Sequence, residues 1–263
     1  MNYTNLKKIF LSTIILLSNR AFSMVENKTI NTPRGSDVEI TIHSSSTTKK
    51  PTIIVAPGQS CNSKGPLFET LGVKGSLENF TIVRFEWAYC LKDPSKPIPS
   101  DNLANEIEDF KTVMAYAISN PAVDAEKIII AGKSLGSVVA YSVFQSTPSA
   151  KGLVLLTPLC TYTTDDNGNP LPTPLQVCEE NYPLMKKDSR PIYMTMGDRD
   201  SACIVNVLFD YLKDSQGNVL VNVAGGDHGF RVKKLDGTID AVKTQRNIDS
   251  VIDGILNWVN LKL

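Results

Sequence analysis

The run Ile128-Ile129-Ile130-Ala131-Gly132-Lys133-Ser134-Leu135-Gly136-Ser137-Val138-Val139-Ala140-Tyr141 constrains this chain more than any other stretch. A short apolar, β-branched segment passes through Gly-x-Ser-x-Gly into small residues that continue comfortably only as a helix. A strand that turns so sharply into a helix holds the serine in a strained backbone conformation, with its hydroxyl projecting from the top of a sheet. Side chains at the flanking positions would collide with neighbouring backbone, which accounts for Gly132 and Gly136. By composition alone such a pentapeptide arises in roughly one chain in ten of this size. Its weight therefore depends on the elements around it and on partners elsewhere in the chain.

Those elements alternate. Val38 to His43 has a period of two and reads as a half-buried edge strand, and Pro51 to Ala56 is apolar throughout, as a central parallel strand buried on both faces would be. A helix broken or shortened by Gly72 and Gly75 is expected between Gly65 and Asn79, then a strand at Thr81 to Trp87. After a proline-rich loop, Ser100 or Asp101 caps a long amphipathic helix that carries Leu103, Ile107, Phe110, Val113, Met114 and Ala117 and stops near Asn120-Pro121. Lys127 to Ala131 is the strand before the serine, and Leu135 to Gln145 the helix after it. Further strands are read at Gly152 to Leu156, Ile192 to Met196 and Val219 to Val223, with helices around Val205 to Leu212 and Asp249 to Val259. This alternation predicts an α/β fold, a mostly parallel sheet with helices on both faces. Thr157 to Lys187 is polar and broken by five prolines. Aperiodic loops of that length are usually functional or disordered, and 159–187 reads as a small lid or pocket wall.

Residues 1–23 have the form of a secretory signal peptide: Lys7 and Lys8, an apolar core from Ile9 to Leu17, and the small-x-small triplet Ala21-Phe22-Ser23. The apolar run is too short to span a bilayer, so the expectation is a soluble protein from 24–263, one domain, secreted or periplasmic. Removing the segment takes Lys7, Lys8 and Arg20 and no acid, leaving 24 basic residues of the original 27 against 27 acidic ones, a net charge of −3. Nothing in that balance draws the chain to nucleic acid. All five cysteines lie in the mature part, without Cys-x-x-Cys spacing and with only two histidines in the chain, so no zinc site is read. By position, Cys61 pairs with Cys90, because each follows a strand at the same edge, and Cys160 with Cys178 across one long loop. Cys203 is left over, as a buried small hydrophobe.

A serine hydroxyl needs a base to take its proton, and the base needs an acid to fix its tautomer and stabilise its cation. Of the two histidines, His43 lies on an early strand, whereas His228 follows the last strand in the glycine-flanked loop Gly225-Gly226-Asp227-His228-Gly229. There its ring can reach across the strand ends, which makes it the expected base. The acid lies in Gly197-Asp198-Arg199-Asp200, at the end of the strand between them, where either aspartate could serve and the other cap the following helix.

The order Ser134, aspartate, His228 is that of α/β-hydrolases. From about residue 51 to 260 the chain resembles the small dienelactone-hydrolase-like branch of that superfamily. Gly132-Lys133-Ser134-Leu135-Gly136, Gly197-Asp198-Arg199-Asp200 and Asp227-His228-Gly229 carry the match. Arg84-Phe85-Glu86-Trp87 and the Gly-Lys-Ser-x-Gly elbow also resemble a little-characterised subgroup. The resemblance implies Asp200 as the triad acid, since the carboxylate usually stands third after the glycine. It implies an oxyanion hole from the backbone N–H of Leu135 and a second N–H from Gln59 or Ser60, of which Gln59 is preferred. The stretch Pro57-Gly58-Gln59-Ser60 departs here from the His-Gly-Gly-Gly of lipases. Trp87, Tyr89, Tyr162 and Leu175 are candidates for the substrate pocket, although aromatic residues at strand ends more often pack. The implied activity is hydrolysis of a small-molecule carboxylic ester or thioester through an acyl-enzyme on Ser134, with no metal or organic cofactor. A non-catalytic binding protein of the same fold, or a peptidase or lipase acting at an envelope or host surface, are the alternatives. Substrate identity and oligomeric state are not encoded in any motif.

Overall fold

A computed structural model describes residues 23–162, 177–216 and 218–263. Residues 1–22 of the expected signal segment 1–23, and residues 163–176 of the expected 159–187 lid loop, Leu175 included, lie outside the described residues. Strands β1 (Met24–Asn31), β2 (Asp37–Ser44), β3 (Lys50–Ala56), β4 (Thr81–Glu86), β5 (Val123–Lys133), β6 (Gly152–Leu156), β7 (Ile192–Gly197) and β8 (Val219–Ala224) form one sheet in the order β1-β2-β4-β3-β5-β6-β7-β8. From β4 to β8 every pairing is parallel, and β1 and β2 join antiparallel at one side. The central runs 53–56 of β3, 128–131 of β5 and Gly152–Leu156 of β6 are apolar and buried because helices cover both faces.

Side chains alternate between those faces. Ile54 and Ala56 of β3 and Ile128 and Ile130 of β5 enter a core shared with α3 (Ala104–Ser119), α4 (Leu135–Gln145) and α6 (Val205–Leu212). Ile53 and Val55, with Ile129 and Ala131, face α1 (Pro66–Leu77) and α7 (Ala241–Lys262) on the other side. Between β4 and α3 runs a helix of five residues, α2 (Ala88–Lys92). A short helix, α5 (Cys178–Asn181), precedes a single 3₁₀ turn at Met185–Lys187.

Three expectations are corrected. Val38–His43 is not an edge strand: β2 is nearly all buried, and β1, whose residues are almost all exposed, forms the edge beyond it. The polar run Glu26-Asn27-Lys28 carries no apolar alternation, so only its full pairing from Met24↔Ser44 to Asn31↔Asp37 makes it a strand. The last helix starts at Ala241, eight residues before its expected start, with the Asp240 side chain accepting from Lys243 N–H at its N-cap. The long helix after the proline-rich loop starts only at Ala104, because Asn102 and Leu103 both have positive φ (55° and 57°).

Candidate active site

At the end of β5, Ser134 takes φ 54° and ψ −123°, outside the regions open to most L-residues, and α4 begins at the next residue. Two glycines permit the turn. A Cβ on Gly132 would stand 2.0 Å from the Gly136 carbonyl oxygen, and one on Gly136 would stand 2.2 Å from that of Pro57. The second contact brings the loop after β3 against the start of α4. At its nearest, a Cβ on Gly58 would lie 3.4 Å from Ser134 Cβ and 3.9 Å from its Oγ.

His228 stands in the loop after β8, and local bonds shape that loop. Asp227 accepts from the N–H groups of Gly229 (2.8 Å) and Arg231 (3.0 Å) and pairs with the Arg231 guanidinium, which holds its carboxyl below the usual range against the opposing effect of burial. Phe230, at φ 58°, is fully buried in the core under α7 and anchors the loop from below. The imidazole Nε2 reaches Ser134 Oγ at 2.8 Å. Nδ1 lies 2.9 Å and 3.0 Å from the two oxygens of Asp200. An ionised carboxylate can only accept, so Nδ1 carries the proton and Nε2 turns its lone pair to the serine hydroxyl.

Asp200 is buried at the end of β7, its side chain 0% exposed, and also accepts from the backbone N–H of Ala202 (2.8 Å) and Cys203 (3.2 Å). Asp198 turns elsewhere. It is half exposed, and its Oδ1 accepts from Gly226 N–H at 2.7 Å, which ties the end of β7 to the histidine loop. The two aspartates of one motif therefore take different tasks, and only burial and direction tell them apart.

The backbone amides of Leu135 and Gln59 have no hydrogen-bond partner among the described residues. Both belong to segments that adjoin Ser134, as oxyanion donors would have to. Of the expected pocket aromatics, Trp87 is fully buried with its indole N–H donating to the Gly58 carbonyl at 3.1 Å, so it lines no open surface. Tyr89 donates its hydroxyl to the Gln59 carbonyl (3.0 Å) and borders a cavity of about 630 Å³ with Arg34, Lys92, Ile98 and Glu106. Tyr162 is half exposed at a separate cavity of about 500 Å³ beside Val177 and Tyr211.

Lys133, inside the elbow, is a feature whose role the sequence left unread. Its amine has no hydrogen-bond or ion-pair partner among the described residues and is pushed down to about 8 by burial, against the pull of Asp200 and Asp227. Cys61 pairs with Cys90 and Cys160 with Cys178, leaving Cys203 buried and free. Cys61, Glu86 and Cys90 cluster as metal-ligating types do, but the two sulfurs are bonded to each other, which leaves a single carboxylate as donor.

The family model of the alpha/beta hydrolase domain matches residues 49–260. The chain belongs to the α/β-hydrolase family. No curated protein matches its sequence. Among solved structures, this α/β-hydrolase is similar to an alpha-beta serine hydrolase homologue from Coxiella burnetii, at TM-score 0.63 and 18% identity over 88% of this chain and 97% of that one. It is also similar to a protein from Klebsiella pneumoniae named as a dienelactone hydrolase, at TM-score 0.64 and 15% identity over 90% and 99% of the two chains. A serine hydrolase without lid from Xanthomonas campestris matches at TM-score 0.58 and 14% identity, over 89% of this chain and 93% of that one. At such identities the likeness is one of fold.

Proposed function

We propose that this α/β-hydrolase is an exported serine hydrolase that cleaves a small carboxylic ester or thioester through an acyl-enzyme on Ser134. The observation that carries the reading is the unbroken line of hydrogen bonds from Ser134 Oγ through the His228 ring to Asp200. In it, His228 takes the serine proton as Oγ attacks the carbonyl and returns it to the leaving alcohol or thiol. Asp200 holds the ring in the right tautomer and stabilises the imidazolium. Charge that develops on the carbonyl oxygen meets the amides of Leu135 and Gln59, already free of other partners. Water activated by His228 then releases the acid. Esters and thioesters suit this site because an alkoxide or a thiolate is a far better leaving group than an amide nitrogen and depends less on the proton that His228 returns.

Export is supported by the signal-like 1–23, by β1 beginning at Met24, next to the expected cleavage point, and by the two disulfides. No described helix is long and apolar enough to cross a membrane. The test is a series of p-nitrophenyl esters of increasing acyl length with the wild type and Ser134→Ala. Turnover on short chains that disappears with Ser134→Ala is expected. Equal turnover by both proteins, or none by the wild type on any ester or thioester, would remove the reading.

A further inference from the structure

The loop that carries the Gln59 amide is attached at four points to one short segment, Glu86 to Cys90. The Trp87 indole N–H donates to the Gly58 carbonyl (3.1 Å), and the Tyr89 hydroxyl donates to the Gln59 carbonyl (3.0 Å). Cys90 is disulfide-bonded to Cys61, and Glu86 accepts from the N–H (3.0 Å) and hydroxyl (2.8 Å) of Ser63. Resting on the serine-hydrolase reading above, we propose that this segment is a brace that positions the oxyanion donor, with Trp87 and Tyr89 as positioning residues and Cys61–Cys90 as their covalent lock.

The argument turns on the peptide plane. The carbonyl of Gly58 and the N–H of Gln59 belong to one rigid trans unit and point in opposite directions. Trp87 is fully buried and stands edge-on to Phe85, with ring centroids 4.9 Å apart, so its N–H is a fixed donor. Holding the Gly58 oxygen on that side fixes the Gln59 N–H on the other. Tyr89 does the same for the next plane, which joins the Gln59 carbonyl to the Ser60 N–H. A Cβ added to Gly58 would lie 3.4 Å from Ser134 Cβ, so this peptide plane adjoins the nucleophile and its rotation moves the donor relative to the attacked carbonyl.

The loop has reason to move without the brace. Cys61 sits at φ 54°, a left-handed conformation that a non-glycine residue keeps only when its surroundings impose it. The loop also lacks the glycine run with which lipases build this turn. Here the geometry comes from outside the loop, from the end of β4 and the start of α2, and Trp87 and Tyr89 act through the backbone of Gly58 and Gln59.

The test uses the mature oxidised protein and three variants: Trp87→Phe, Tyr89→Phe and the paired Cys61→Ser/Cys90→Ser. Each is assayed on a p-nitrophenyl ester and on the matching thionoester, whose sulfur accepts hydrogen bonds poorly and gains little from an oxyanion hole. A displaced donor lowers kcat on the ester by about tenfold to a hundredfold, leaves KM within about twofold, and lowers thionoester turnover much less. A merely structural defect would lower both substrates alike. Ester kcat unchanged in Trp87→Phe and Tyr89→Phe, or equal losses on ester and thionoester, overturns the brace. In that case wild-type turnover and its loss in Ser134→Ala still stand, so failure of the brace is separable from failure of the hydrolase reading. A wild type that turns over neither substrate overturns both. Tyr89→Phe, which removes one oxygen at the molecular surface, keeps the test open if the cysteine pair variant does not fold.

Discussion

Asp200 faces His228 with both carboxylate oxygens, 2.9 and 3.0 Å from Nδ1, while Asp198, two residues earlier on the same turn, bonds the Gly226 N–H and leaves the ring alone. Asp200→Asn should therefore lower kcat by about a thousandfold to ten-thousandfold, because an amide favours the wrong imidazole tautomer. Asp198→Asn keeps an oxygen for Gly226 and should stay within about tenfold of wild type by the same mechanism. Steady-state kinetics on one p-nitrophenyl ester compare the two. A larger loss in Asp198→Asn would reverse the assignment.

Gly136→Ala should be among the most damaging small substitutions in the chain. Its Cβ would meet the backbone oxygens of Pro57 at 2.2 Å and of Ala56 at 2.9 Å, and backbone cannot swing aside as a side chain can. A loss of ~3 kcal/mol or more is expected. Gly35→Ala serves as comparison: nothing lies within 4 Å of its Cβ, and only its φ of 81° opposes the change, so about 1 kcal/mol is expected. Urea midpoints measure both.

Lys133 predicts a stability that rises in alkali. Its folded value of about 8 lies below the ordinary 10.5, so between those limits the unfolded chain binds the proton that the folded chain has released. Stability therefore increases with pH through that window. Below it, both states are charged and the folded state bears the cost of desolvating a half-buried ammonium. Lys133→Met should be more stable than wild type at pH 7 by about 1–3 kcal/mol, with the difference closing as pH approaches 10.5. Thermal unfolding of the two proteins across pH 7 to about 10 follows it, and a constant difference would contradict the account.

His43 predicts the acid side. It is buried, accepts from Arg84 Nε at 3.1 Å, and its Nδ1 has no partner among the described residues. Burial, reinforced by the Arg84 charge, holds its value below 6.5, so the unfolded chain binds a proton that the folded chain refuses. Stability is lost as pH falls below 6.5. His43→Gln, which keeps an acceptor for Arg84 but does not titrate, should flatten that limb of the profile in thermal unfolding. An unchanged limb would assign it to other groups.

Much of this arrangement could be read from residue order. The apolar strands, the glycines around Ser134 and the placing of one aspartate motif and one histidine at later strand ends need only periodicity and the demands of a tight turn. What could not be read depends on contacts between distant segments. β1 exists as a strand because β2 offers it a partner, not because Glu26, Asn27 and Lys28 favour one face. Asp198 and Asp200 look alike in Gly-Asp-Arg-Asp until one is buried and the other half exposed. The hydrogen bonds of Trp87 and Tyr89 are not legible either, because an aromatic residue after a strand carries no mark of what its polar atom will bond. In the fold those atoms meet the backbone of Gly58 and Gln59.

The most direct measurement of the central claim is covalent capture of the nucleophile. A fluorophosphonate reacts with a serine hydroxyl only when a base has activated it, and peptide mass mapping locates the adduct. Labelling of the wild type at Ser134, its absence in Ser134→Ala and its strong slowing in His228→Ala are predicted. A wild type that stays unlabelled, or Ser134→Ala labelled as fast as wild type, would contradict the account.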